Sequence, residues 1–164
     1  MQVFVPSAPH CNVNAPPINK NLPGLPEDVS LLIHVFHRVF FDAFNTQLVP
    51  FGEEPFYAPA SPTSPAKITF SHDYFASALH EIAHWCVAGE SRRAQEDYGY
   101  WYSPDGRDAA QQAEFEKVEV KPQAIEWILH QCCNKPFHLS LDNLHLPEQD
   151  SSVFAHAVYE QTLL

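Results

Sequence analysis

A chain of 164 residues, 45% apolar and 13% aromatic, can bury a sizeable core; this excludes a disordered polymer and predicts a single globular domain over residues 1–164. Its net charge of −11, with nine scattered Lys and Arg, excludes a nucleic-acid surface, because phosphate binding draws on clustered cations. No stretch has the length and apolarity of a membrane span or a leader, and Cys11, Cys86, Cys132 and Cys133 form neither a CxxC pair nor a secreted framework, so the expectation is a soluble cytoplasmic protein with reduced thiols.

Prolines at 6, 9, 16, 17, 23 and 26 predict an extended segment over residues 1–26. After Pro26 the apolar residues Val29, Leu32, Ile33, Phe36, Phe40 and Phe44 recur in steps of three and four, the pattern of a core helix. Val49 to Pro65 is rich in proline and aromatics, and Lys67–Phe70 then reads as a short strand. A second helix is expected over about Asp73–Ala88, with Gly89 placed to terminate it. The loop beyond it holds Tyr98-Gly99-Tyr100-Trp101-Tyr102 and a turn at Pro104-Asp105-Gly106.

Asp108 with Gln111 three residues later reads as a capping box opening a third helix, whose apolar stripe is Phe115, Val118, Ile125 and Leu129. Pro122 is expected to kink or restart that helix between about Val118 and Pro122. Beyond Asn134-Lys135-Pro136, Phe137–Leu141 reads as a strand and Ser151–Leu163 as a last helix. The fold class expected is α+β, with several helices packed on a small antiparallel sheet and a metal between the second and third helices.

The strongest chemical signal is His80-Glu81-Ile82-Ala83-His84 in the second helix. Four helical residues turn through about 400° and rise about 6 Å, so His80 and His84 project together and one ion can bridge them. Glu81 points elsewhere around the axis, where zinc peptidases keep the base that activates a metal-bound water. Two imidazoles need a third ligand, and no further His follows at the metzincin step. Glu119, Gln123, Glu126 and His130 form a polar stripe opposite the apolar one on the third helix. Glu119, beside the expected interruption at Pro122, is the preferred ligand; Glu116 reads as surface or support, and His72, His130 and His138 are fallbacks. Two imidazoles and a carboxylate suit open-sided non-haem Fe(II) and also zinc.

The runs Phe75-Ala76-Ser77-Ala78-Leu79-His80-Glu81, Ala83-His84-Trp85-Cys86, Gly99-Tyr100-Trp101-Tyr102, Pro104-Asp105-Gly106-Arg107-Asp108, Phe115-Glu116 and Val118-Glu119-Val120-Lys121-Pro122-Gln123-Ala124 resemble the elongation factor P hydroxylase family. The likeness covers roughly the middle third of the chain and is far more specific than HExxH alone. It implies an iron-dependent, monooxygenase-type hydroxylation of the β-lysylated lysine of elongation factor P, with molecular oxygen as oxidant and His80, His84 and Glu119 as the metal set. Glu81 then orients an imidazole or handles protons. Tyr100, Trp101, Tyr102, Asp105 and Arg107 become candidate substrate contacts, the rings along an alkyl stem and Asp105 facing an ammonium. The competing functions are a zinc metallopeptidase using Glu81 as general base, and a binding domain without catalysis.

Overall fold

The computed structural model describes residues 22–99, 107–141 and 152–164. Helix α1 (Glu27–Phe36) starts directly after Pro26 and runs on through a π-helical turn (His37–Phe41) into the single turn α2 (Asp42–Phe44), so the apolar repeat from Val29 to Phe44 lies on one continuous helical run. Val29, Ile33 and Phe36 are buried. Phe36, Phe40 and Phe44 each present an edge to Trp85, with ring centroids 5.4, 5.1 and 5.1 Å away. In the π-turn the His37 Nε2 accepts the Leu48 N–H at 3.0 Å, tying the helix to the first strand. Asn45, left-handed at φ 47°, reverses the chain into that strand.

Strand β1 is Thr46–Gly52, β2 is Phe56–Ala58 and β3 is Ala66–Ser71. The sheet order is β1-β3-β2, with β3 antiparallel to β2 but parallel to β1. The sheet is therefore mixed, and the all-antiparallel expectation is corrected. After β1 the chain crosses to the far edge to lay down β2, turns at the Ser61–Ser64 bridge, and returns through the centre in the direction of β1. Pro50 is accommodated because β1 is an edge strand, where a missing N–H can face away from the ladder. Thr46, Leu48, Tyr57, Ala66, Ile68 and Phe70 are buried, alternating along their strands with less buried residues.

Helix α3 (Phe75–Val87) packs against β3 and buries Ala78, Leu79, Ile82, Ala83 and Trp85. Gly89 does not end it with a left-handed cap. Ala88 turns into the extended region, Gly89 (φ −74°) opens the short helix α4 (Glu90–Arg93), and the Arg93 guanidinium donates to the Trp85 carbonyl from Nε at 3.0 Å and Nη2 at 2.7 Å. An arginine satisfies the helix end that glycine was expected to shape. A 3₁₀ turn (Glu96–Gly99) follows, with Asp97, Tyr98 and Gly99 all at positive φ.

Helix α5 runs from Ala109 to Cys132 without interruption, opened by the expected capping box: the Asp108 side chain accepts the Ala110 and Gln111 N–H groups, and the Gln111 amide accepts the Asp108 N–H. The restart expected at Pro122 does not occur. A proline inside a helix costs about 3 kcal/mol, but Pro122 is fully buried and the helix packs along its length on α3 and on α6 (Ser152–Thr162), which offsets that cost. Nor do residues Phe137–Leu141 form a strand: their backbone bonds side chains instead of a neighbouring strand. Gln123 bonds both the Ser140 N–H and the Ser140 carbonyl, while Gln112 and Arg107 donate to the Leu141 carbonyl. A main apolar core joins α1, the sheet, α3 and Tyr98; a smaller one joins Ala124 of α5 to Phe154 and Val158 of α6. Among the described residues no helix is long and apolar enough to cross a membrane.

Candidate metal centre

The four-residue spacing on α3 carries His80 and His84 to the face opposite the sheet, toward α5. Their Nε2 atoms are 3.0 Å apart. Glu119, only 2% exposed on the inward face of α5, completes the group: Oε1 is 3.2 Å from His84 Nε2 and Oε2 is 3.9 Å from His80 Nε2. One donor atom from each of the three residues lies within 4.8 Å of the others, a separation one divalent ion can span. His80 and His84 keep 27% and 19% of their side-chain surface, so the cluster is reachable from solvent while its carboxylate is sealed.

The polar stripe expected on α5 is present, but it points inward. Glu119, Gln123, Glu126 and His130 are all buried, whereas Val118 and Ile128 are exposed. Glu119, Gln123 and Glu126 each hydrogen-bond to another polar side chain, while His130 faces Glu126 without a hydrogen bond. Gln123 Nε2 donates to Glu119 Oε2 at 3.4 Å while its amide pins Ser140. Glu126 Oε2 accepts from His80 Nδ1 at 2.8 Å, on the side of the ring away from His84. Its other oxygen faces His130 Nε2 at 3.5 Å. The sequence places Gln123 and Glu126 in the stripe but gives them no role at the site; the signal for one is their place four and seven residues beyond Glu119, on the same helix face.

The charges respond to one another. Burial disfavours the His80 imidazolium, but the hydrogen bond from Glu126 and the negative charges of Glu81, Glu119 and Glu126 outweigh it, raising the pKa to about 9. For Glu119 burial pulls upward, and the hydrogen bond with His84, the charges of His84 and His80 and the Gln123 amide pull harder, so its carboxyl sits below the ordinary value. Glu81 goes the other way: burial raises it, His80 and His84 oppose, and Glu119 and Asp97 add to the rise. Beside Glu81 stands Tyr98, missed by the sequence reading, whose phenol is raised by burial and by the Glu81 charge. Tyr98 stacks on Tyr57 at 4.3 Å, and Asp97 accepts the Tyr57 N–H at 2.8 Å, contacts that hold the left-handed turn in place.

The structure brings together His80, His84 and Glu119 of the expected residues, with Glu81 beside them. Tyr100, Trp101, Tyr102 and Asp105 lie outside the described residues. Arg107 is buried at the start of α5, its guanidinium 3.9 Å over the Phe115 ring and its Nε on Gln112 Oε1 at 3.1 Å. Eleven residues of helix, about 16 Å of rise, separate the Asp108 cap from Glu119. Among the fallback ligands His130 lies behind Glu126 and His72 is exposed and stacked on Tyr74. His138 is also exposed, and neither it nor His72 belongs to the donor group. A cleft of about 810 Å³ lined by Phe44, Thr46, Tyr57, Cys86 and Arg93 includes none of the three donors and lies apart from this chemistry.

The model of the elongation factor P hydroxylase family matches residues 35–164. An elongation factor P lysine hydroxylase of Haemophilus influenzae is 50% identical over 131 residues, which cover 79% of this chain and 74% of that protein. The matched stretch contains both histidines of α3 and both buried carboxylates of α5. The chain belongs to the elongation factor P hydroxylase family.

Proposed function

We propose that this protein hydroxylates the β-lysylated lysine of elongation factor P, with ferrous iron held by His80, His84 and Glu119 and with molecular oxygen as co-substrate. The observation that carries the reading is the convergence of two imidazole nitrogens and one carboxylate within 4.8 Å in a member of this family. A set of that composition leaves coordination positions open on one side of an ion. Iron, when bound, supplies the redox chemistry by which one oxygen atom enters a C–H bond; the second leaves as water with two electrons from an external reductant and two protons.

The chain's own residues supply geometry and proton handling. Glu119, sealed and held ionised, gives the site its fixed negative charge, and Gln123 keeps that carboxylate aimed. Glu81 does not join the donor group, and its raised pKa suits it to hold or pass a proton at its carboxyl beside the reacting centre. Tyr100, Trp101, Tyr102 and Asp105 are the proposed contacts for the lysyl stem and its ammonium, while Arg107 is itself held by Gln112 and the Phe115 ring of α5. The acidic balance of the chain favours a cationic substrate group. A translation factor as substrate puts the reaction in the cytoplasm.

The test is intact-mass analysis of β-lysylated elongation factor P incubated with the Fe(II)-loaded protein, oxygen and ascorbate. A gain of one oxygen atom, absent for the His84→Ala variant, is expected. No gain, with peptide cleavage under zinc that Glu81→Gln abolishes, overturns the hydroxylase reading in favour of a peptidase.

A further inference from the structure

His80 has two ring nitrogens, and only one of them faces the donor group. Its Nε2 is directed at His84 and Glu119, while Nδ1 lies 2.8 Å from Glu126 Oε2. A carboxylate accepts hydrogen bonds, so this contact keeps a hydrogen on Nδ1 and makes Nε2 the nitrogen that gives up its proton when the ring is neutral. Glu126 is 6% exposed and stands two helical turns beyond Glu119, on the same side of α5. One face of one helix thus supplies a carboxylate to the donor group and another to the back of a histidine in that group. Glu126 has a second neighbour. Its second oxygen faces His130 Nε2 at 3.5 Å, and the His130 ring is buried and packed edge-on against Phe137, with no hydrogen-bond partner for either nitrogen among the described residues.

We propose that Glu126 is a positioning residue, a buried carboxylate that sets the tautomer and orientation of His80 so that Nε2 is the nitrogen offered to a metal. The proposal rests on the metal-centre reading above and adds a residue to it that does not touch the ion. A packing role alone, an ion pair joining α3 to α5, would change stability and leave zinc affinity unchanged.

The test uses the full chain with Zn(II) as a diamagnetic probe. Wild type, Glu126→Gln, Glu126→Ala and His84→Ala are compared by thermal melting and, at a pH where His80 is neutral so that its proton does not compete, by chelator competition and by the imidazole nitrogen shifts of the metal-free protein. Removing a partner of a ligating histidine costs 10–100-fold in metal affinity, so Glu126→Ala is expected to lose about that much and Glu126→Gln, which keeps an acceptor, about 10-fold. His80 in wild type and Glu126→Gln is expected as the Nδ1–H tautomer; in Glu126→Ala it should revert mainly to the Nε2–H form that free imidazoles favour. Should Glu126→Ala fail to fold, the isosteric Glu126→Gln carries the affinity test. Zinc affinity within twofold of wild type in the folded variants, with His84→Ala clearly weakened, overturns this proposal alone. Wild type binding zinc no better than His84→Ala overturns the metal-centre reading and this proposal with it.

Discussion

The proton on His80 competes with any metal for the same nitrogen, and the structure sets the size of that competition. In the metal-free protein the pKa is about 9, because Glu126, Glu81 and Glu119 together overcome the burial that would lower it. A metal takes Nε2 only after the proton leaves, so below pH 9 apparent affinity should fall about tenfold, or 1.36 kcal/mol, per pH unit. At pH 7 the handicap is about 100-fold; a histidine at the ordinary 6.5 would impose almost none. Chelator competition with Zn(II) from pH 7 to 8.5, corrected for the chelator's own titration, should give a slope near one in log affinity against pH. Calorimetry in buffers of different ionisation enthalpy should show about one proton released from this site near neutrality. An affinity independent of pH above 7 would refute the electrostatic account of His80. Stability of the metal-free protein carries the opposite sign: a raised histidine pKa stabilises fully below 6.5, and the contribution, on the order of 3 kcal/mol, is lost as pH rises through 9.

Other consequences concern the supports of the site. Gln123→Leu removes both bonds to Ser140 and the contact with Glu119, and should cost about 1–2 kcal/mol in urea unfolding together with weaker zinc binding. Asp108→Ala dismantles the capping box of α5 far from the donor group, and should cost about 1 kcal/mol with zinc affinity unchanged. Arg93→Ala strips the guanidinium that lies 3.9 Å over Trp85 and caps its carbonyl; a loss of about 1–2 kcal/mol is expected, again with unchanged zinc affinity.

The parts of the fold and site legible in the sequence are those governed by spacing within one element. His80 and His84 follow from the pitch of a single helix, and the Asp108–Gln111 box from the chemistry of four consecutive residues. What the sequence hid depends on partners distant along the chain. Pro50 and the left-handed Phe51 disguise β1, whose pairing with β3 is set by where β2 lies. Pro122 carries a local signal for a break that packing on both sides overrides. The stripe Glu119, Gln123, Glu126 and His130 reads like a solvated face, since nothing local says that two histidines of α3 and the backbone of residues 137–141 will cover it.

That inward polar face also explains why α5 is poor in apolar residues where it meets α3. Two buried carboxylates on one helix face are costly unless positive charge stands between them. His80 meets both, with Nδ1 on Glu126 and Nε2 toward Glu119 and His84. In the metal-free protein a proton on this ring supplies the missing charge, which is the physical content of its pKa near 9. A divalent ion held by this group would take the place of that proton while Nδ1 keeps its hydrogen bond, so helix packing would not have to be rebuilt. The same electrostatic arrangement that lets α3 and α5 pack without metal therefore holds the donor atoms near the positions a metal requires, at the cost of the proton that must leave.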